Sequence, residues 1–395
     1  MTAVALADRL AVEVGRVAPD VLEMRRDLHR HPELAHQEHR TAREVARRCR
    51  ALGFTVTEGV GGTGVLAEIA GAGSGPTVLY RADMDALPVT ERDDGRPVRS
   101  EVPGVMHACG HDGHMAIAIG AGAVIAALRD EWRGRLRLCF QPAEETATGA
   151  LPMIEAGALA GVDRALGIHL WTGIEVGRVA VTPGPLFGSA DEFRLVIRGR
   201  AGHGGLPHLS VDPVLAAAEV VVALQTLVAR EVAPGSTAVV TIGMIRGGQA
   251  FNVIAEEVEL RGTVRAADEQ LRRHLLRRVE EVAGGVAAAL RAEAAYQLVA
   301  GCPPVVSDPE VAEAVRRAAT DAVGSDHVEV ARPLTVGDDM AYFLEHVPGC
   351  YFLVGAGDPA LTERPPHHHP GFDIDERALE VGLSTVTRAL LASLR

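Results

Sequence analysis

An α/β fold is predicted by three observations. Short apolar strands alternate with helical stretches over residues 54–186 and again after 300, the pattern of a mostly parallel sheet. A separate block, 187–299, runs in the order β-α-β-β-α-β of a ferredoxin-like unit. At 395 residues the chain is also too long for one ordinary core. Together these predict one domain built from 1–186 and 300–395, with an α+β domain of residues 187–299 inserted into it.

Residues 3–52 read as helical, with Gly53 as C-cap. "FTVTE" and "GVLAEIA" read as strands around the turn "GVGGTG" at 59–64. That turn matches G-x-G-x-x-G, but the segment after Gly64 is strand-like rather than the start of a helix, so a dinucleotide site is rejected. "PTVLYRADMD", "RGRLRLCFQPAEE" and "RALGIHL" each read as a strand running into a loop. Helices are expected at "DGHMAIAIGAGAVIAALRD" and "ALPMIEAGAL". In the inserted block, strands are expected at "SADEFRLVIRGRAG", "STAVVTIGMIRGG", "AEEVELRGTVRA" and "AAYQLVAG". Its helices are "DPVLAAAEVVVALQTLVARE" and "DEQLRRHLLRRVEEVAGGVAAALR". The helix "PEVAEAVRRAATDAV", the strand "CYFLVGAG" and a helix from Glu376 complete the first domain.

Composition narrows the function classes. Apolar residues at 47% and charged residues at 23% describe a globular protein. A net charge of −13 argues against nucleic acid as a partner. No apolar stretch is read as long enough to cross a bilayer, and Asp8 and Arg9 mark the first residues as an amphipathic helix. Cys49, Cys109, Cys139, Cys302 and Cys350 are odd in number and widely spaced, which fits free thiols in a reducing cytoplasm. The chain has no lysine, which excludes Schiff-base and P-loop lysine chemistry.

The chemistry concentrates at strand ends, where open α/β sheets bind ligands. Asp83, Asp85, Glu144, Glu145 and His169 all fall there. "MHACGHDGHMA" adds Cys109 and His111 on a loop leading into a helix, a thiolate and an imidazole suited to zinc and its neighbours. His114, one turn on, and His107 are expected to pack or to support the ligands rather than bind metal. The adjacent carboxylates of "FQPAEE" would repel in one pocket without a cation. One can ligate while the other serves as general base. In "HHHPGFDIDE", one histidine can close the site while the other two are expected on a solvated loop. No G-x-S-x-G, no H-E-x-x-H and no P-C-x-x-C after "HPE" is present.

These stretches, with "RRDLHRHPELAHQE", "YRADMDALPV", "AGHGGLPHLSVDP", "FNVI" and "GTVR", run nearly the length of the chain. As a set they resemble the M20 family of metallopeptidases and amidohydrolases. The branch in question contains N-acyl-amino-acid amidohydrolases, hippurate hydrolases and indole-acetyl-amino-acid hydrolases. The resemblance implies a zinc-peptidase-like domain with an inserted ferredoxin-like dimerisation domain. It implies two divalent ions, zinc, manganese, cobalt or nickel, held by Cys109, His111, Glu145, His169 and His368. His368 is the histidine of 367–369 that fits the family's His-x-Pro pattern. Glu144 matches the general base. His203 matches a histidine that in many relatives reaches the partner subunit's active site to polarise the scissile carbonyl. Asn252 and Arg265 match substrate-contacting positions, and Asp83, Asp85 and His114 stand behind the ligands. The implied activity is hydrolysis of N-acyl amino acids by a homodimer. Alternatives are a dipeptidase, a deacylase of N-acetyl- or N-succinyl-diaminopimelate, and a non-catalytic metal-stabilised binding protein. Two stretches depart from the family pattern: Ala255 in "FNVIA" replaces proline, and "GDDMAYF" stands where relatives carry an S-E-D-F type sequence.

Overall fold

The computed structural model describes residues 3–395, with side chains from Leu6 onward. The chain forms two compact units. Unit 1 comprises Met1–Leu186, Val306–Arg332 and Asp339–Arg395; unit 2 comprises Phe187–Val305 and Pro333–Asp338. The sequence-derived boundary at 299 falls inside a strand, Glu293–Cys302.

Unit 1 opens with helix α1 (Ala3–Arg30). It stops just ahead of His31-Pro32, because proline disfavours helical backbone at the residue before it. Helix α2 (His39–Ala51) starts afresh after a loop, so the single helical stretch expected over 3–52 is two helices separated by residues 31–38. Strands β1 (Thr55–Val60) and β2 (Gly64–Ala70) pair antiparallel around the glycine turn. Next come β3 (Thr77–Asp83), helix α3 (His111–Ala127), β4 (Arg135–Gln141), β5 (Arg164–Glu175) and β6 (Val179–Ala180). The helix expected at 150–159 is only the short Ala150–Glu155.

Unit 2 holds β7 (Ala190–Arg198), α4 (Pro213–Thr226), β8 (Ala238–Gly247), β9 (Glu257–Ala266), α5 (Glu269–Ala289) and β10 (Glu293–Cys302). Its sheet is antiparallel throughout in the order β8-β9-β7-β10, the arrangement of a ferredoxin-like unit. Both helices are capped by an aspartate: Asp212 accepts from Val214 N, and Asp268 accepts from Leu271 N. Residues Pro213–Glu231 are apolar and long enough to cross a membrane by length and composition, which corrects the expectation that no stretch is. In unit 2 this segment lies on the sheet, with Ala216, Ala217, Val220, Leu224 and Leu227 buried in a core shared with Phe193, Leu195 and Leu260.

The chain completes unit 1 with α6 (Pro309–Val323), β11 (Val328–Glu329), β12 (Gly349–Gly357) and α7 (Arg377–Ser393). The eight-stranded sheet runs β1-β2-β4-β3-β5-β12-β6-β11, with the central strands β4, β3, β5 and β12 parallel. One core joins α1, α3, α6 and α7 to this sheet. Helix α3 is buried almost all round and made of small residues, which lets its neighbours close in. A Cβ on Gly120 would stand 2.4 Å from a Val21 methyl of α1. The parallel strands share one carboxyl edge: Asp83 of β3 lies beside Gln141 of β4, and Arg81 lies beside Gly167 of β5.

Candidate metal centre

The loop between β3 and α3 turns sharply at Gly110, whose φ of +90° suits a residue without a side chain. This turn places Cys109 and His111 on either side of it, both buried. The His111 ring donates from Nδ1 to the Asp85 carbonyl at 2.8 Å, which leaves the Nε2 lone pair facing inward. His169 likewise donates from Nδ1 to the Leu170 carbonyl at 2.9 Å. Its Nε2 stands 3.5 Å from the Cys109 sulfur. His169 is not at a strand end as expected: β5 continues to Glu175, and His169 pairs with Leu353 of β12.

Glu144 and Glu145 come after β4 and its Pro142. Their backbone amides both donate to the Asp85 carboxylate, at 3.0 Å each. His368 adopts a left-handed φ of +68°, which costs a non-glycine residue about 1–2 kcal/mol. Its amide donates to the Ala108 carbonyl at 2.8 Å, anchoring it beside Cys109. Its Nε2 lies 3.3 Å from Glu145 Oε2.

The donor atoms form overlapping groups. Cys109, His111 and His169 converge, as do Cys109, Glu145 and His368, each within 4.8 Å. Two ligands 2.1 Å from one ion at the tetrahedral angle stand about 3.4 Å apart, so these spacings suit bound cations. Two atoms point directly to one. Among the described residues, His111 Nε2 and Glu145 Oε1 are buried without hydrogen-bond partners, and they face each other at 3.7 Å. A buried orphan nitrogen and carboxylate oxygen are costly to leave unmatched, and a divalent ion satisfies both. Glu144 Oε2 lies 3.8 Å from the same nitrogen and stands beside the group as a second carboxylate.

Electrostatics agree. Burial, reinforced by Glu145 and Glu144, pushes the Cys109 thiol far above its usual range; a cation reverses that and favours the thiolate ligand. Burial opposes charge on His111, but Asp83, Asp85 and Glu145 outweigh it and raise the ring to about 10. The same surplus of negative charge that raises the ring would favour a bound cation.

The remaining expected residues separate cleanly. His114 spends both nitrogens: Nδ1 donates to Asp83 at 2.7 Å and Nε2 accepts from Leu170 N at 2.9 Å. It therefore holds the strand carrying His169. His107 is buried, and among the described residues neither of its ring nitrogens has a hydrogen-bond partner. Of the other histidines of 367–369, His367 is not on a solvated loop. It stacks on Trp171 at 4.3 Å, and its Nε2 donates to the Leu170 carbonyl.

In unit 2, Gly202–His203 pairs with Val253–Ile254, which brings "AGHGG" next to "FNVI". His203 is exposed, and its Nδ1 accepts from Gly205 N at 2.9 Å. Its neutral form thus carries the proton on Nε2, a donor available to a carbonyl. Asn252 is exposed, and its carbonyl accepts from Gly204 N. Arg265 is half-buried on β9 and has no ion-pair partner among the described residues.

Residues 79–392 match peptidase family M20/M25/M40. The chain belongs to that family. It is 39% identical over 369 residues to N-acetyl-L-cysteine deacetylase of Bacillus subtilis, covering 93% of this chain and 86% of that protein. It is 36% identical to thermostable carboxypeptidase 1 of Saccharolobus solfataricus, covering 98% of each. The crystal structure of Bacillus subtilis YXEP, a dinuclear metal-binding peptidase of family M20, superposes with a TM-score of 0.82 at 34% identity. That match covers 96% of this chain and 99% of YXEP. This M20/M25/M40 member is a metal-dependent amidohydrolase that takes divalent ions.

Two buried groups bonded to residues of the candidate site had no reading in the sequence. Arg81, fully buried beneath it, ties Asp83, Gln141 and Asp339 together at 2.6–2.9 Å. Asp339 also accepts from Ala150 N, which gives "GDDMAYF" a structural use. The other is Glu38, whose only sequence signal is its place in "HPELAHQE".

Proposed function

We propose that the protein hydrolyses N-acyl amino acids, releasing a carboxylic acid and a free amino acid. The observation that carries this reading is the pair of adjacent carboxylates, Glu144 and Glu145, that face one imidazole nitrogen of the ligand cluster. Glu145 presents its buried Oε1 to His111 Nε2 at 3.7 Å and Glu144 brings its Oε2 to 3.8 Å from the same nitrogen, so that one carboxylate would ligate while the other serves as base. Cys109, His111, Glu145, His169 and His368 would hold two divalent ions, whose chemistry there would be that of a Lewis acid that lowers the pKa of bound water. Glu144 takes the proton of the attacking water and returns it to the departing amine. His203, with its proton on Nε2, would act on the other subunit of a homodimer, donating to the carbonyl oxygen as charge develops there. Arg265, without an ion-pair partner among the described residues, would hold the carboxylate of the amino acid and Asn252 would orient it.

The N-acyl class is supported by the likeness to N-acetyl-L-cysteine deacetylase. The likeness to a carboxypeptidase favours a second reading, release of a C-terminal residue from short peptides. Either substrate keeps a free carboxylate for Arg265. Unit 2 supports a homodimer. Strand β8 is an outer strand of its sheet, and helix α4, which packs on it, exposes Val214, Leu215 and Val222. Five free, buried cysteines fit a reducing compartment such as the cytoplasm.

The test is elemental analysis of the purified protein followed by a turnover panel. The panel holds N-acetyl and N-benzoyl amino acids and dipeptides, each with Mn²⁺, Zn²⁺, Co²⁺ or Ni²⁺. Preferential release of amino acids from N-acyl substrates supports the reading. Faster cleavage of the dipeptides moves the protein to the peptidase reading, and no turnover of any substrate rejects both.

A further inference from the structure

The tandem glutamates sit in a loop that belongs to neither helix nor sheet. Three consecutive amides of this loop, those of Ala143, Glu144 and Glu145, all donate to carboxylates from distant parts of the chain. Asp85 takes the last two. The first goes to Glu38 Oε1 at 2.9 Å. Ala143 is buried and left-handed, with φ at +53°, so its peptide must be held by something outside itself.

Glu38 is placed for that task. It is fully buried. It occupies the N-cap of α2, yet its side chain makes no capping bond there. Glu33 caps that helix instead, accepting from Arg40 N and Thr41 N. Released from that duty, the Glu38 carboxylate accepts from Ala143 N and His36 N on one oxygen, and from the Thr63 hydroxyl on the other. Thr63 comes from the "GVGGTG" turn, which the rejected dinucleotide reading left without a use. The same 31–38 loop touches the site twice more. The Glu33 carbonyl accepts from Ala86 N, next to Asp85, and the His36 ring meets the Thr148 hydroxyl at 2.8 Å.

We propose that Glu38 is a positioning residue for Glu144: its buried carboxylate fixes the left-handed Ala143 peptide and so aims the general base. This rests on the hydrolytic reading above. Glu38 does not touch substrate or the ligand atoms, and it acts through the backbone that carries Glu144.

The test compares Glu38→Ala and Glu38→Gln with the parent chain. Glu38→Ala removes the acceptor for Ala143 N. Its kcat on the best N-acyl substrate should fall about tenfold to a hundredfold, with KM and metal content within twofold. Glu38→Gln keeps an acceptor oxygen and should recover most of that loss. A second readout does not depend on activity. In metal-free protein, amide exchange in the peptide spanning 142–149 should be at least tenfold faster in Glu38→Ala and near the parent rate in Glu38→Gln. If Glu38→Ala is not recovered folded, Thr63→Val serves in its place and should lower kcat about threefold while loosening the same peptide. Unchanged kcat and exchange in Glu38→Ala, or in Thr63→Val where that variant stands in, overturns the proposal. So does a kcat loss that tracks metal loss, or a Glu38→Gln as impaired as Glu38→Ala. Failure of the parent chain to hydrolyse any substrate rejects the function reading alone, because the exchange comparison still judges Glu38.

Discussion

Strand β12 of unit 1 has no exposed residue, whereas along β9 of unit 2 buried and partly exposed residues alternate. The first pattern belongs to a sheet covered on both faces, the second to a sheet covered on one. The consequences extend to the polar residues. Unit 1 buries Arg25, Glu38, Arg81, Asp83, Asp85 and Asp112, each held by named partners. In unit 2 the buried Asp191 pairs with the partly exposed Arg272, and large apolar side chains such as Val222, Ile245 and Phe251 are left exposed. A covered sheet forces its charges into matched clusters, which is where a metal and a general base can be held. A half-covered sheet keeps apolar surface to offer to another molecule.

The sharpest way to break this contrast is at the clustered charges. Glu144→Gln should lower kcat about a thousandfold while metal content stays constant, and Glu145→Gln should lose metal as well. Steady-state kinetics with elemental analysis reads both, and equal metal loss in the two variants would remove the division of roles. Next in size is Asp85→Asn, which swaps one of two acceptor oxygens for a donor beneath Glu144 and Glu145. Metal affinity or activity should drop about 10- to 100-fold, measured by competition with a chelator and by turnover.

Stability differences come third. Arg25 bonds Asp112 at 2.9 Å and Asp373 at 3.0 Å within α1's buried face. Arg25→Met should cost about 3–5 kcal/mol, because Asp112 is left buried and underpaired; urea unfolding reads the loss. The same pair gives a pH dependence. Burial works against the charge on Asp112, but Arg25 and His29 overcome it and hold the carboxyl well below its usual range. A depressed folded-state value means this stabilisation is whole above the unfolded value of about 3.9 and fades as pH falls below it. Midpoints at pH 5 and pH 3 should therefore converge in Arg25→Met relative to the parent chain. The smallest energetic effect is expected on the open side of unit 2. Val222→Asp should leave unfolding stability within about 0.5 kcal/mol while shifting a dimer to monomer in sedimentation. A stable monomeric parent chain would remove the reason offered for that apolar face.

Much of the architecture could be read from periodicity, because strand and helix patterns are local. Where local signals were overlooked, the reading failed: Pro32 marks the end of α1 within the stretch read as one helix. The apolar length of 213–231 was equally present in the sequence. The five candidate ligands were approachable because metal chemistry restricts residue type, and the structure gathers them into shared clusters. Glu38 and Arg81 were not. Each acts through hydrogen bonds to residues far along the chain, Ala143 for one and Asp339 for the other. No spacing rule links such pairs, since the fold alone makes them neighbours. His169 was misplaced to a strand end for a related reason: the partner that prolongs β5, β12, lies beyond the whole inserted unit.

The candidate ligands lie on both sides of unit 2, with Cys109 through His169 before it and His368 after it. During translation, the whole of unit 2 is synthesised before residue 368 is joined to the chain. Capture of an ion by all five candidates together would therefore be a late event in biosynthesis. A nascent polypeptide still attached short of His368 offers Cys109, His111, Glu145 and His169 without the ligand that closes the set.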